Sequence, residues 1–277
     1  MRTRGTGGEG ARRQAGKAKK RFGQHFLEPA WAARLIDRID PKPDETFLEI
    51  GPGRGALTKP LAPKVRHLIA IEIDRDLAAA LPPKLPPHVT VLQQDALATD
   101  FAELLAAETA PVRVVGNLPY NVASPILFML LQAAADGRVF SDATLMLQKE
   151  VADRVVAKPG SDDYGAMSIQ VALLADAVQT MTLPPGAFRP PPKVTSAVVL
   201  LRFRPPAEPV GDRETFGRMV RGLFQQRRKT VGNALVPVAS TFGRDPRQVI
   251  EQAGVDPHKR PEQLTLAEFA ALSRAVL

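Results

Sequence analysis

Apolar residues recur along the chain in two alternating rhythms. Short runs rich in Val, Ile, Leu and Ala, bounded by turn formers, read as strands at 46–50, 67–73, 89–93, 112–116 and 143–147. Stretches with helical spacing of apolar positions occupy 29–39, 56–62, 75–81, 123–134 and 164–175. Regular alternation of the two predicts an α/β domain, a parallel sheet covered by helices. Two more strands, 177–183 and 196–203, are separated only by the proline-rich stretch 184–193. That leaves no room for a crossover helix, so these two strands should pair antiparallel. The expected sheet has seven strands and is mostly parallel, five parallel strands ending in a reversed pair.

After Pro205, Pro206 and Pro209 the strand rhythm stops. Phe216, Met219, Val220, Leu223 and Phe224 lie on one helical face, and further helices are expected near 246–253 and 265–275. The chain therefore divides into a basic arm (1–20), an α/β domain (21–204) and a small all-helical C-terminal domain (205–277).

Net charge is +8, and most of it sits in the arm, where seven basic side chains face one acid, Glu9. Such a segment suits contact with nucleic-acid phosphates. It has no apolar core of a secretory signal, and its five glycines suit a targeting helix poorly. With no apolar run long enough to cross a bilayer, a cytoplasmic protein is expected. There is no cysteine, which excludes disulfides, thiolate metal sites and the cysteine-dependent methylation of pyrimidine carbon 5. His25, His67, His88 and His258 are scattered without ligand spacing, so no metal is expected.

Glu49-Ile50-Gly51-Pro52-Gly53-Arg54-Gly55 links the first of these strands to a helix. Glycines let the main chain turn sharply there and approach a ligand closely. Glu72 closes the next strand, where a carboxylate can accept hydrogen bonds from ribose hydroxyls, and Asp95, next to Ala96, follows the third and could receive an adenine amino group. Gly51, Gly53 and Ala56 also satisfy the dinucleotide fingerprint, so this loop alone leaves both S-adenosylmethionine and a nicotinamide cofactor open.

Gly116-Asn117-Leu118-Pro119-Tyr120 directly follows the fourth strand. The exocyclic amine of adenine is a poor nucleophile because its lone pair is delocalised into the ring. Two acceptors on its N–H groups favour a tetrahedral nitrogen with a localised pair, and the Asn117 side-chain oxygen and the Leu118 carbonyl are suited to that. Pro119 stiffens the turn, and Tyr120 offers a ring for a base to stack on. Direct displacement on a sulfonium methyl then depends on proximity and alignment. A dehydrogenase needs no such motif.

Four segments together resemble the bacterial small-subunit rRNA adenine dimethyltransferases. They are Lys19-Lys20-Arg21-Phe22-Gly23-Gln24-His25-Phe26-Leu27, the glycine loop, the Asn117 motif, and Phe188-Arg189-Pro190-Pro191-Pro192-Lys193-Val194-Thr195-Ser196. Met146-Leu147-Gln148-Lys149-Glu150-Val151 and Gln225-Gln226-Arg227-Arg228-Lys229-Thr230 are similar to that family as well. The resemblance implies a Rossmann-like class I methyltransferase fold and S-adenosyl-L-methionine as cofactor. It implies that His25 and Leu27 line the methionine end of that cofactor with Gly51 and Gly53. Glu72 and Ile73 would meet its ribose and Asp95 and Ala96 its adenine, with Asn117 reaching both cofactor and target. Tyr120 and Phe188 would sandwich the target base, and His25 stands where many relatives carry Asn. The implied substrate is a pair of adjacent adenines in the terminal hairpin of small-subunit rRNA, met in an immature subunit; nothing in the sequence fixes the oligomeric state, and a monomer is the default expectation. Arg221, Arg227, Arg228 and Lys229 would contact its backbone.

Three other readings compete. A large-subunit rRNA adenine methyltransferase of the resistance type shares the fold and the Asn-x-Pro-Tyr logic. A DNA adenine methyltransferase would want a separate sequence-reading domain. A non-catalytic assembly factor would not need the intact Asn117 motif.

Overall fold

The computed structural model describes residues 25–137 and 139–277. The basic arm and the Lys19–Gln24 portion of the N-terminal motif lie outside the described residues.

The described chain opens with a two-residue strand, β1 (Phe26–Leu27), and helix α1 (Pro29–Ile39). Alternation then runs β2 (Thr46–Ile50), α2 (Thr58–Leu61), β3 (His67–Glu72), α3 (Arg75–Ala80), β4 (Val89–Gln93), α4 (Phe101–Leu104) and β5 (Val112–Asn117). It continues with α5 (Ala123–Gly137), β6 (Phe140–Gln148), α6 (Lys149–Val156), α7 (Ala166–Leu174) and β7 (Ala175–Leu183). A short strand β8 (Phe188–Arg189) precedes β9 (Ser196–Phe203), and α8 (Arg213–Gln225), α9 (Val231–Ser240), α10 (Pro246–Ala253) and α11 (Leu266–Ala275) complete the chain.

Seven strands form one sheet in the order β4-β3-β2-β5-β6-β9-β7. The pairs β2–β3, β2–β5, β3–β4 and β5–β6 are parallel, and β9 is antiparallel to both β6 and β7. The expected antiparallel pair is present, but only β9 runs backwards. β7 keeps the common direction because α6 and α7 carry the chain across before it, as a parallel connection requires. α6 follows β6 without a loop, which hides it from a reading by rhythm.

Side chains alternate across the sheet and feed two cores. Leu48, Ile50, Val114, Leu145, Leu147 and Val199 face α5 and the C-terminal helices, in a cluster that continues without a break to Phe216, Leu235 and Phe269. Phe47, Leu68, Val115, Met146 and Val198 face the other way, onto Leu35 and Ile36 of α1. α9 contains Pro237 and so carries a helix-breaking signal in the sequence. It is held instead by burial of Ala234, Leu235, Val238 and Ala239. Its approach to α8 is so close that a Cβ on Gly222 would lie 2.6 Å from the Val238 side chain.

No helix among the described residues is long and apolar enough to cross a membrane.

Candidate active site

The strand ends at one edge of the sheet and the β1 segment enclose one cavity. It is lined by His25 and Leu27, by Gly51 and Gly53, by Glu72 and Ile73, by Asp95 and Ala96, and by the run Asn117–Leu118–Pro119–Tyr120. The parallel register explains the convergence. β2, β3, β4 and β5 end side by side, with Ile50 opposite Ile71 and Gly116, and Glu72 opposite Gln93. Ligands of open α/β sheets bind at that edge.

The loop after β2 takes its shape from glycine. Gly51 and Gly53 have φ of 73° and 57°, a region that residues with a Cβ rarely enter. A Cβ at Gly53 would also press on the Phe26 ring at 3.2 Å, and the Arg54 guanidinium covers that ring at 4.4 Å. Glu72 locks the loop from the neighbouring strand. Its Oε2 accepts the Gly53 N–H and its Oε1 the Asp74 N–H, each at 2.9 Å. Burial pushes the Glu72 carboxyl above its ordinary pKa, and those two N–H groups oppose the rise. Each oxygen keeps a further lone pair for a hydroxyl donor.

Asp95 is exposed and accepts the Leu97 N–H at 2.9 Å, which turns the chain after β4 along the cavity. Ile73 and Leu97 are 46% and 43% exposed although both are large and apolar, and both line the cavity. Such side chains suit the two faces of a flat aromatic ligand. Leu97 was not singled out in the sequence, although an apolar residue just past a strand-end acid was the available signal.

Glu49 is the deepest acid of the site. It is 2% exposed, lines the cavity, and its Oε2 has no hydrogen-bond partner. Burial raises its carboxyl to about 7, with Thr58 opposing and nearby Glu72 adding to the rise.

The Asn117 turn is organised by the β1 segment. Asn117 Nδ2 donates one of its two N–H groups to the His25 carbonyl at 2.7 Å, which turns the amide nitrogen toward the β1 segment and leaves Oδ1 as an acceptor for a ligand. The His25 ring bonds through Nδ1 to the Pro190 carbonyl at 2.8 Å and stacks on Tyr120 with centroids 5.7 Å apart. Leu118 is buried and borders the cavity.

Phe188 departs from the sequence-based expectation. Expected to sandwich the target base with Tyr120, it is instead fully buried in the apolar cluster with Leu27, Leu183 and Ala187, and it is absent from the cavity wall. The physical reason is local pairing. Phe188 and Arg189 form β8, antiparallel to β1, with Leu27 opposite Phe188, and the Glu28 N–H bonds the Ala187 carbonyl. The ring is thus turned inward, fastening the β1 segment from beneath.

The four basic residues lie away from this cavity, at the end of α8 and in the turn leading to α9. Arg221, Arg228 and Lys229 are exposed, and Arg227 pairs with Glu262 at 3.6 Å.

A seven-strand sheet with one reversed strand, a glycine loop braced by a strand-end acid and an Asn-x-Pro-Tyr turn beside it define a class I methyltransferase of the kind that modifies adenine amines. Comparison of the whole chain narrows this. The sequence profile of the family described as ribosomal RNA adenine dimethylase matches residues 15–276, and the chain belongs to that family. It is 42% identical to a ribosomal RNA small subunit methyltransferase A from Acinetobacter baylyi, over 93% of this chain and 92% of that one. A protein of the same description from Xanthomonas oryzae is 46% identical, over 92% and 95%. Among solved structures, a dimethyladenosine transferase from Plasmodium falciparum superposes with a TM-score of 0.73 at 25% identity, covering 90% of this chain and 96% of that chain. The 23S rRNA methyltransferase ErmE does so with 0.63 at 25% identity, covering 91% and 99%.

Proposed function

We propose that this protein uses S-adenosyl-L-methionine to dimethylate the N6 amines of two adjacent adenines in the 3'-terminal hairpin of small-subunit rRNA. It would act as a cytoplasmic monomer on an immature small ribosomal subunit. The observation that carries the reading is the bond from Asn117 Nδ2 to the His25 carbonyl, which commits the amide nitrogen and leaves Oδ1 as the acceptor of a residue that lines one cavity with Glu72, Asp95 and the glycine loop.

The cavity fits the cofactor. Glu72 has lone pairs for ribose hydroxyls, Ile73 and Leu97 offer apolar faces to adenine, and Asp95 is exposed to receive its amino group. His25, Leu27 and Gly51 border the methionine end. S-adenosylmethionine supplies an electrophilic methyl on a sulfonium.

The remaining work falls to the chain's own residues. Asn117 Oδ1 and the Leu118 carbonyl accept the two N–H groups of the target amine, which localises its lone pair. The Tyr120 ring carries the base, swung out of its RNA stack. No strong general base is required, because the methylated amine loses its proton readily. After one transfer a single N–H remains, so the monomethylated amine rotates and leaves one acceptor unpaired before the second.

The small-subunit substrate is favoured over a large-subunit one by degree of similarity. The small-subunit relatives reach 42–46% identity over nearly their whole length, and ErmE superposes less well than the dimethyladenosine transferase, with a TM-score of 0.63 against 0.73 at the same 25% identity. Exposed Arg221, Arg228 and Lys229, with Arg227 beside them, suit RNA phosphates. Incubation of immature small subunits and of large subunits with labelled cofactor tests the reading. Label in the small-subunit RNA supports it, and label confined to the large-subunit RNA refutes it.

A further inference from the structure

Ser196 opens β9, the strand of the seven-stranded sheet that runs against its neighbours. Because β9 is antiparallel to β6 and β7, its first residue lies at the edge where the parallel strands end, beside the Asn117 turn. Ser196 is held there from both sides, opposite Gln148 of β6 and Leu183 of β7, and is 1% exposed. Its Oγ lies 2.6 Å from the Tyr120 hydroxyl. A buried serine on a ladder fixed at both flanks is a rigid point, whereas Tyr120 sits in a loop.

The ring between these points is constrained at its other end as well. His25, itself tied to the Pro190 carbonyl, stacks on Tyr120. Burial pushes the Tyr120 phenol above its ordinary pKa, so the hydroxyl keeps its proton. A hydroxyl buried without a partner would be costly. Phenylalanine would stack a base equally well, so the hydroxyl has a use, and its partner is Ser196.

We propose that Ser196 is a positioning residue for methyl transfer. Its hydrogen bond to Tyr120 fixes the plane of the ring that carries the target adenine, and thereby the line along which N6 meets the Asn117 oxygen. This rests on the reading of Tyr120 as the base platform. Aligned displacement is sensitive to such placement, and misplacement by about 1 Å can cost on the order of 100-fold in rate. Loss of one tether to a ring that His25 still contacts should cost less, about tenfold.

The test is a double-mutant cycle with Ser196→Ala, Tyr120→Phe and the double variant, assayed on undermethylated small ribosomal subunits. Turnover, cofactor affinity by calorimetry and melting temperature are read for each. Each single variant should lower kcat about tenfold, the double should be no worse than either, and cofactor affinity should stay unchanged. Effects that multiply in the double variant would overturn the proposal, as would a Ser196→Ala enzyme with wild-type kcat. Tyr120→Ala separates the two layers. If it turns over normally, the platform reading itself fails. If it is impaired while Ser196→Ala and Tyr120→Phe are not, only the tether fails.

Discussion

The side-chain amide of Asn117 donates to the main-chain carbonyl of His25 at 2.7 Å, and this bond fixes how the amide is turned beside the cavity that Asn117 lines. Reversed, the amide would present N–H groups to an amine that is itself a donor. The β1 segment therefore does more than wall the cavity, since it orients the amide proposed to hold the target amine.

Replacing Asn117 by Asp removes the donor and sets a carboxylate against the His25 carbonyl. Methyl transfer should fall on the order of 100-fold, the scale of losing one preorganised polar contact in an active site. Melting temperature should change little, because the side chain is only partly buried. Steady-state turnover together with a thermal melt checks both parts.

Phe188 gives a prediction of the opposite kind. As a core residue, its replacement by Ala should cost about 3–5 kcal/mol of stability. Phe188→Leu, which conserves most of the apolar volume, should cost under about 1.5 kcal/mol. The Leu variant should then transfer methyl groups near the wild-type rate at 25 °C. A large loss of turnover with unchanged denaturant stability would return Phe188 to the role of base platform.

These residues show where the sequence was readable. The glycine loop, Glu72, Asp95 and Asn117–Tyr120 were legible because each sits at a strand end, and parallel strands bring their ends together. Strands 46–50, 89–93 and 196–203 and helices 29–39 and 246–253 were also legible to the residue, being bounded by proline, glycine or charge. Phe188 was misplaced because a two-residue pairing with β1 has no periodicity to detect. The Ser196–Tyr120 and Asn117–His25 bonds join residues 76 and 92 positions apart, and only the assembled sheet shows them. α9 was missed because its stability comes from packing that overrides Pro237.

Glu49 predicts a pH dependence. Its folded-state pKa, about 7, lies above the ordinary 4.5. The folded protein therefore holds a proton that the unfolded chain releases as pH rises from about 4.5, and folding loses stability until about pH 7. The full penalty is on the order of 3 kcal/mol. Glu49→Gln removes this term. Compared with wild type, the variant should gain stability as pH rises from about 5 and level off above about pH 7 in denaturant titrations. A difference independent of pH would contradict the assignment.

Arg228 and Lys229 are exposed in the turn after α8. If both meet RNA phosphates, reversing their charge weakens binding and flattens its salt dependence. Slopes near 0.7–0.9 per phosphate contact predict a change of about 1.5 in the log–log plot of affinity against salt. Filter binding of the rRNA hairpin region across salt concentrations reads this directly. An unchanged slope would place the RNA elsewhere on the surface.

Nucleoside mass spectrometry of small-subunit RNA, after incubation of undermethylated subunits with cofactor and either wild-type or Asn117→Ala protein, tests the central claim most directly. The account predicts N6,N6-dimethyladenosine with the wild type, and neither the mono- nor the dimethylated nucleoside with the variant. Dimethyladenosine at the wild-type level from Asn117→Ala would contradict it.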